Sequence, residues 1–153
     1  MKSFFLLAFI YLLIPACGNN KGDETLSEDD STATINYAWQ ASINDSTGNL
    51  EMKKTEAIGL DSLSTMSIID YINASDSSIQ LGILKTSNDT VYIKIADANY
   101  LTQRMGSTGS SLYLAAVVYN LTELPGIHFI NFDFKEGDHA QPGTFNRDNF
   151  KNE

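Results

Sequence analysis

The sequence predicts an α+β fold: a small antiparallel or mixed sheet with two helices packed on one face. Three observations predict it. Several runs alternate with a period of two, two runs carry apolar residues at helical spacing, and a cluster of turn residues joins two of the alternating runs as a hairpin.

The first run is Thr34 to Asn44. Ile35, Tyr37, Trp39, Ala41 and Ile43 fall on one face and Thr34, Asn36, Ala38, Gln40 and Ser42 on the other, which is the pattern of a half-buried strand. Asp45-Ser46-Thr47-Gly48-Asn49 is a turn cluster. Leu50 to Ile58 alternates more weakly and is read as a second strand. From Asp61 to Ala74, Leu63, Met66, Ile69 and Ile72 line one helical face and Asp61 is a candidate N-cap. Ile68, Ile69, Tyr71 and Ile72 also suit a strand, but the reading taken is a helix. Ser78–Lys85 and Thr90–Ala96 flank Thr86-Ser87-Asn88-Asp89, a hairpin turn. Gly106 to Ser110 opens the next element, with Ser107 or Ser110 able to cap backbone amides. Leu114, Val117, Val118, Leu121 and Leu124 then mark a largely buried helix over Leu112–Leu124, which Pro125-Gly126 stops. Ile127 to Phe134 is a strand, with Ile130, Phe132 and Phe134 on the core face. Beyond Gly137 the chain is expected to be a polar, loop-like tail.

The N-terminus has a different character. Lys2 precedes an unbroken apolar run from Phe4 to Ile14, too short for a membrane span of roughly twenty residues and suited to a secretory signal. Ile14-Pro15-Ala16-Cys17 resembles the lipobox cut by lipoprotein signal peptidases. The resemblance implies cleavage before Cys17, a thioether-linked diacylglycerol on its sulfur, and an acyl chain such as palmitate on its amine. Two or more chains anchor a protein stably, at about 0.8 kcal/mol for each buried methylene. Ordinary secretion with a stray cysteine is the alternative. Against it, Cys17 is the single cysteine of the chain; it cannot form an intramolecular disulfide, and a free thiol is a liability in an oxidising compartment.

The expected organisation is therefore a signal peptide at 1–16, a lipidated Cys17 with an acidic tether at 17–33, a domain at 34–137 and a tail at 138–153. The tether has few apolar side chains and should be disordered. Its acids Asp23, Glu24, Glu28, Asp29 and Asp30 are read either as a solvated linker or as a signal resembling those of surface-exported lipoproteins. The full chain carries a net charge of −9; removing residues 1–16 leaves nine basic residues against nineteen acids, or −10. Such a surface repels nucleic acid and anionic headgroups.

Leu81 to Gly137 resembles a GerMN domain, the module of spore-germination GerM-type lipoproteins. The features that carry the resemblance lie in order: the strand Thr90–Ala96 followed by Asp97, Gly106-Ser107, the helix end Tyr119-Asn120-Leu121-Thr122-Glu123-Leu124-Pro125-Gly126-Ile127, and the strand running to Lys135-Glu136-Gly137. The helix-end motif is also explained by packing and capping alone. The resemblance implies a non-catalytic envelope module that binds an envelope protein or cell-wall component, and it supplies no ligand.

Chemistry is sparse. The two histidines, His128 and His139, have no clustered ligands at metal-binding spacing. Gly106-Ser107-Thr108-Gly109-Ser110 is not a nucleophile elbow, and no phosphate-binding Gly-x-x-x-x-Gly-Lys occurs. No catalytic residue, metal ligand or cofactor is assigned. The rival readings are a peptidoglycan hydrolase or lyase working through Asp97, Asp133 and Asp138, and a scaffold subunit of an envelope complex. For a protein partner, a free sheet edge or a face carrying Tyr92, Tyr100 and Tyr113 is the expected contact.

Overall fold

The computed structural model describes residues 39–55 and 63–151. Cys17, the lipobox and the tether lie outside them, as do residues 34–38 of the first predicted strand, 56–58 of the second and the candidate cap Asp61. All described residues belong to one unit, Ala33–Glu153.

Two sheets and two α-helices lie among the described residues, so the fold is α+β. Strands β1 (Trp39–Ile43) and β2 (Leu50–Lys54) form an antiparallel pair of their own. Their turn is set by Asn44, whose side-chain oxygen accepts the amides of Ser46 and Thr47, and by Gly48 in the left-handed region at φ 73°. Helix α1 is Thr65–Ser75. Its N-cap is Ser64, which exchanges side-chain and backbone bonds with Ser67 in a capping box. The buried face is Ile68, Ile69 and Ile72, whereas Met66, expected in the core, is 57% exposed. Two residues are about 200° round a helix, so burying Ile68 turns Met66 to solvent.

Strands β3 (Leu81–Ser87) and β4 (Thr90–Ile95) form the predicted hairpin around Asn88-Asp89, with Asn88 at φ 54°, a conformation asparagine tolerates. A bulge between Ile83 and Lys85 leaves Leu84 exposed on what is an edge strand, and bulges of this kind discourage edge-to-edge pairing. After β4 comes a π-helical turn, Tyr100–Arg104, which the periodicity does not reveal. Side chains occupy the carbonyls there: Thr102 Oγ1 donates to the Ala98 oxygen and Ser110 Oγ to the Leu101 oxygen, while the Met105 amide reaches five residues back to Tyr100.

Helix α2 is Gly106–Leu121, starting six residues earlier than expected. Neither Ser107 nor Ser110 caps it. The N-cap position is Met105, without a side-chain bond, and Ser110 is a buried donor to carbonyls instead. Helix α2 leads to β5 (Phe129–Asp133), which runs parallel to β4. The four-stranded sheet has the order β3-β4-β5-β6, and β6 is Gly143–Phe145. A short 3-10 helix, Arg147–Phe150, closes the described chain. The expected loop-like tail is thus corrected: it supplies an edge strand and a buried Phe150. Its polar composition hid two aromatic side chains that complete the core, for Phe145 packs edge-on against Phe132 at 5.8 Å and Phe150 stacks on Phe145 at 6.0 Å.

One face of the four-stranded sheet is covered. Val91, Ile93 and Ile95 of β4 and Ile130 and Phe132 of β5 are buried with Ile69 and Ile72 of α1 and Leu114, Val117, Val118 and Leu121 of α2. Each such side chain contributes roughly 1.5–3 kcal/mol by leaving water. The opposite face is polar: Lys94 pairs with Asp133 at 2.8 Å, and Lys85 lies 4.5 Å above the Tyr92 ring.

Candidate functional site

Among the described residues, the end of α2 gathers most of the side-chain hydrogen bonds that span long stretches of sequence. Glu123 sits just past the helix, and three donors from three other segments converge on its carboxylate. Trp39 Nε1 of β1 donates at 2.9 Å, the Arg147 guanidinium of the 3-10 helix at 2.8 Å, and Lys54 of β2 through its ammonium. Burial raises the Glu123 pKa, but the bonds from Lys54, Arg147 and Trp39 outweigh it and bring the value down from 4.5 to about 2. Arg147 is itself fixed by Thr122 Oγ1 and the Tyr119 carbonyl, and its guanidinium lies 5.1 Å from the Trp39 ring and 5.0 Å from the Tyr119 ring.

Asn120, one turn earlier, is buried. Its Oδ1 accepts the Trp39 amide at 3.1 Å and its Nδ2 donates to the Trp39 carbonyl at 2.9 Å, so the side-chain amide imitates a neighbouring strand. Asn73 of α1 does the same to Leu81, accepting its amide at 2.8 Å and donating to its carbonyl at 2.9 Å. Two helices therefore each end in an asparagine that holds the first residue of a strand.

Beside the Asn120 clamp lies a groove of about 330 Å³. Its floor is Tyr113, Ala116 and Val117 of α2 with Ile72 of α1; Trp39, Gln40 and Ala41 of β1 form one wall and Ser75 and Asp76 at the end of α1 the other. The lining is mainly apolar, with Asp76 and Asn120 at its margins. A concave apolar surface with a few placed polar groups is the ordinary form of a binding site.

The acids of the rival reading are not brought together on one nucleophile or substrate cleft. Asp97 lies at the carboxyl end of β4, in a crevice of about 300 Å³ with Lys135 and Glu136, and its carboxylate accepts the Asn99 amide. Asp133 pairs with Lys94 on the open sheet face. Asp138 is exposed in the connection to β6. The tyrosines also part: Tyr92 lies on the open sheet face under Lys85, Tyr113 lines the groove on the covered side, and Tyr100 belongs to the π-helical turn. His128 is exposed at the start of β5. His139 is half-buried and its Nδ1 lies 3.2 Å from Ser107 Oγ, a Ser–His contact across 32 residues that no local motif announces. No carboxylate among the described residues hydrogen-bonds His139 to complete a triad. Among the described residues, no group of three or more His, Cys, Asp or Glu is placed to hold a metal ion, and no helix is long and apolar enough to cross a membrane.

No family model, curated protein or solved structure matches the chain.

Proposed function

We propose that the chain is a lipoprotein cut before Cys17, anchored in a cell-envelope membrane and facing the periplasm or the exterior, whose GerMN-like module binds an envelope partner without catalysis. The observation that carries the binding half of this reading is the apolar groove between β1, α1 and α2. The anchoring half rests on the apolar run from Phe4 to Ile14 and on Ile14-Pro15-Ala16-Cys17. The acids Asp97 and Asp133 hold a turn and an ion pair, roles that require no substrate. A protein partner suits the groove better than a glycan, because sugar hydroxyls buried against an apolar floor would be left without hydrogen-bond partners.

Two measurements test the two halves. Cys17→Ser should release the protein from membranes or stop its processing; unchanged attachment and unchanged mature size would overturn the anchor. A photo-cross-linking residue at Ser75, on the groove wall, should join one envelope protein in cells, whereas the same residue at Lys94 on the open sheet face should not. Equal labelling from both positions would remove the groove from the reading. Release of soluble peptidoglycan fragments by the purified protein, lost in Asp97→Ala and Asp133→Ala, would replace it with the hydrolase.

A further inference from the structure

The hydrogen bonds of β1 say more about the kind of partner. The Asn44 amide donates to the Asn49 carbonyl at 2.8 Å, which makes Asn44 and Asn49 a hydrogen-bonded pair. Such pairs alternate along an antiparallel ladder. With Ser42 opposite Glu51 and Gln40 opposite Lys53, these residues exchange their backbone bonds with β2. The amides and carbonyls of Trp39, Ala41 and Ile43 then point the other way. Trp39 bears this out independently, since both of its backbone groups are held by Asn120. At Ala41 the same outward pair meets no described strand, and the groove opens beside it.

We infer that the outer edge of β1 is a strand-addition site, filled by an extended peptide segment of the partner in which an apolar residue is flanked by basic ones. This rests on the partner-binding reading above and specifies its mode. An added strand would lie about 4.8 Å from β1, with main-chain bonds to Ala41 continuing the row that Asn120 begins. Side chains alternate along a strand, so one points down onto Tyr113, Ala116 and Val117 and its neighbours point outward. The choice of charge follows from the rim. Asp76 places a carboxylate on the groove wall, one oxygen of which accepts the Ser78 amide, and among the described residues no cationic side chain lines the groove; Lys54 and Arg147 lie outside its lining, on Glu123. A net charge of −9 across the chain favours a basic segment at longer range.

Trp39 is the only tryptophan and lines the groove, so its emission reports occupancy directly. The probe is a blocked heptapeptide, Lys-Thr-Lys-Leu-Lys-Thr-Lys, added to the detergent-solubilised lipoprotein. Saturable change in Trp39 emission is expected, with binding lost when the leucine is replaced by serine, when the lysines are replaced by glutamates, or when alternate peptide nitrogens are methylated. Ala41→Pro removes the outward amide alone; proline is tolerated where the N–H faces away from the ladder, so the fold should persist while affinity falls about tenfold or more. Asp76→Asn should weaken the lysine peptide and leave a serine-flanked leucine peptide unchanged. Binding that survives Ala41→Pro and backbone methylation would overturn strand addition, as would equal affinity for the glutamate peptide. A concentration-dependent dimer that Ala41→Pro abolishes would give the edge to a second copy of the chain instead. The Ser75 cross-link separates the two levels: a specific adduct that persists in Ala41→Pro keeps the partner and removes the strand, and absence of any adduct removes both.

Discussion

Glu123 ties three separate segments to the end of α2. Its side chain is 18% exposed and receives donors from β1, β2 and the 3-10 helix. A folded pKa of about 2 against an ordinary 4.5 means that the folded state favours the carboxylate. The associated stability is fully present above pH 4.5 and is lost as the pH falls towards 2. With allowance for solvent screening, it is on the order of 2 kcal/mol. Glu123→Gln should therefore lower the urea-unfolding free energy by about that amount at pH 7, and the gap to the parent protein should narrow as both are titrated from pH 4.5 to pH 2.5. A constant gap across that range would mean that the charge of Glu123 contributes nothing. The residue itself was visible in the sequence as part of the stretch Tyr119 to Ile127, and its neighbours Leu121 and Pro125-Gly126 announce a helix end. Its partners were not visible, because Trp39, Lys54 and Arg147 lie 84, 69 and 24 residues away and no local period links them.

The strands and helices divide by whether their cause is local. The β3–β4 hairpin, β5 and β1 follow from alternation and turn residues, and each was legible. Helix α2 was legible in its C-terminal half only. Its first turns read Gly106-Ser107-Thr108-Gly109-Ser110, poor helix formers, and are held by the Ser110 bonds to Leu101 and Gly106 rather than by propensity. Its last turn is buried on more than one side, through Val117 to Leu121, because the β1–β2 pair covers what would otherwise be a solvent face. That pair is small, and two-stranded sheets are marginal alone; the asparagine clamp attaches it together with the Glu123 bonds to Trp39 and Lys54 and the packing of Trp39, Ala41, Leu50 and Met52 on the core. Asn120→Ala strands the Trp39 amide and carbonyl and should cost about 1–3 kcal/mol. Hydrogen exchange should show the loss as faster exchange across β1 and β2 while β4 and β5 keep their protection. Asn73→Ala should shift the same kind of loss to β3. If either variant instead raises exchange uniformly, the clamps are not local fasteners. The groove was hidden from the sequence for the same reason as the clamp: it exists only where β1, α1 and α2 meet.

Trp39 of β1 and Arg147 of the 3-10 helix meet on the Glu123 carboxylate, so β1 is closed onto the C-terminal segment by a single acid, which bears on the residues past Gly137. Read by composition, residues 138–153 are a polar, loop-like tail. In the structure they contribute β6 against β5, the guanidinium between the Trp39 and Tyr119 rings, and the Phe132–Phe145–Phe150 chain of aromatic contacts. Cutting the chain after Gly137 would leave Ile130 and Phe132 on a sheet edge and leave Glu123 with two donors in place of three. The expected outcome is a chain that fails to fold cooperatively. Because deletion alone removes many contacts, Phe150→Ala provides the graded version: it removes one buried ring, 5% exposed, and should cost about 3–5 kcal/mol. Circular-dichroism melts of the two variants would check both expectations. A truncated chain that melts as sharply and at the same temperature as the parent would restore the independent tail and make the meeting of Trp39 and Arg147 incidental. Failure of the truncation with a near-neutral Phe150→Ala would assign the closure to Arg147 and β6, and Arg147→Ala should then reproduce most of the deletion's effect.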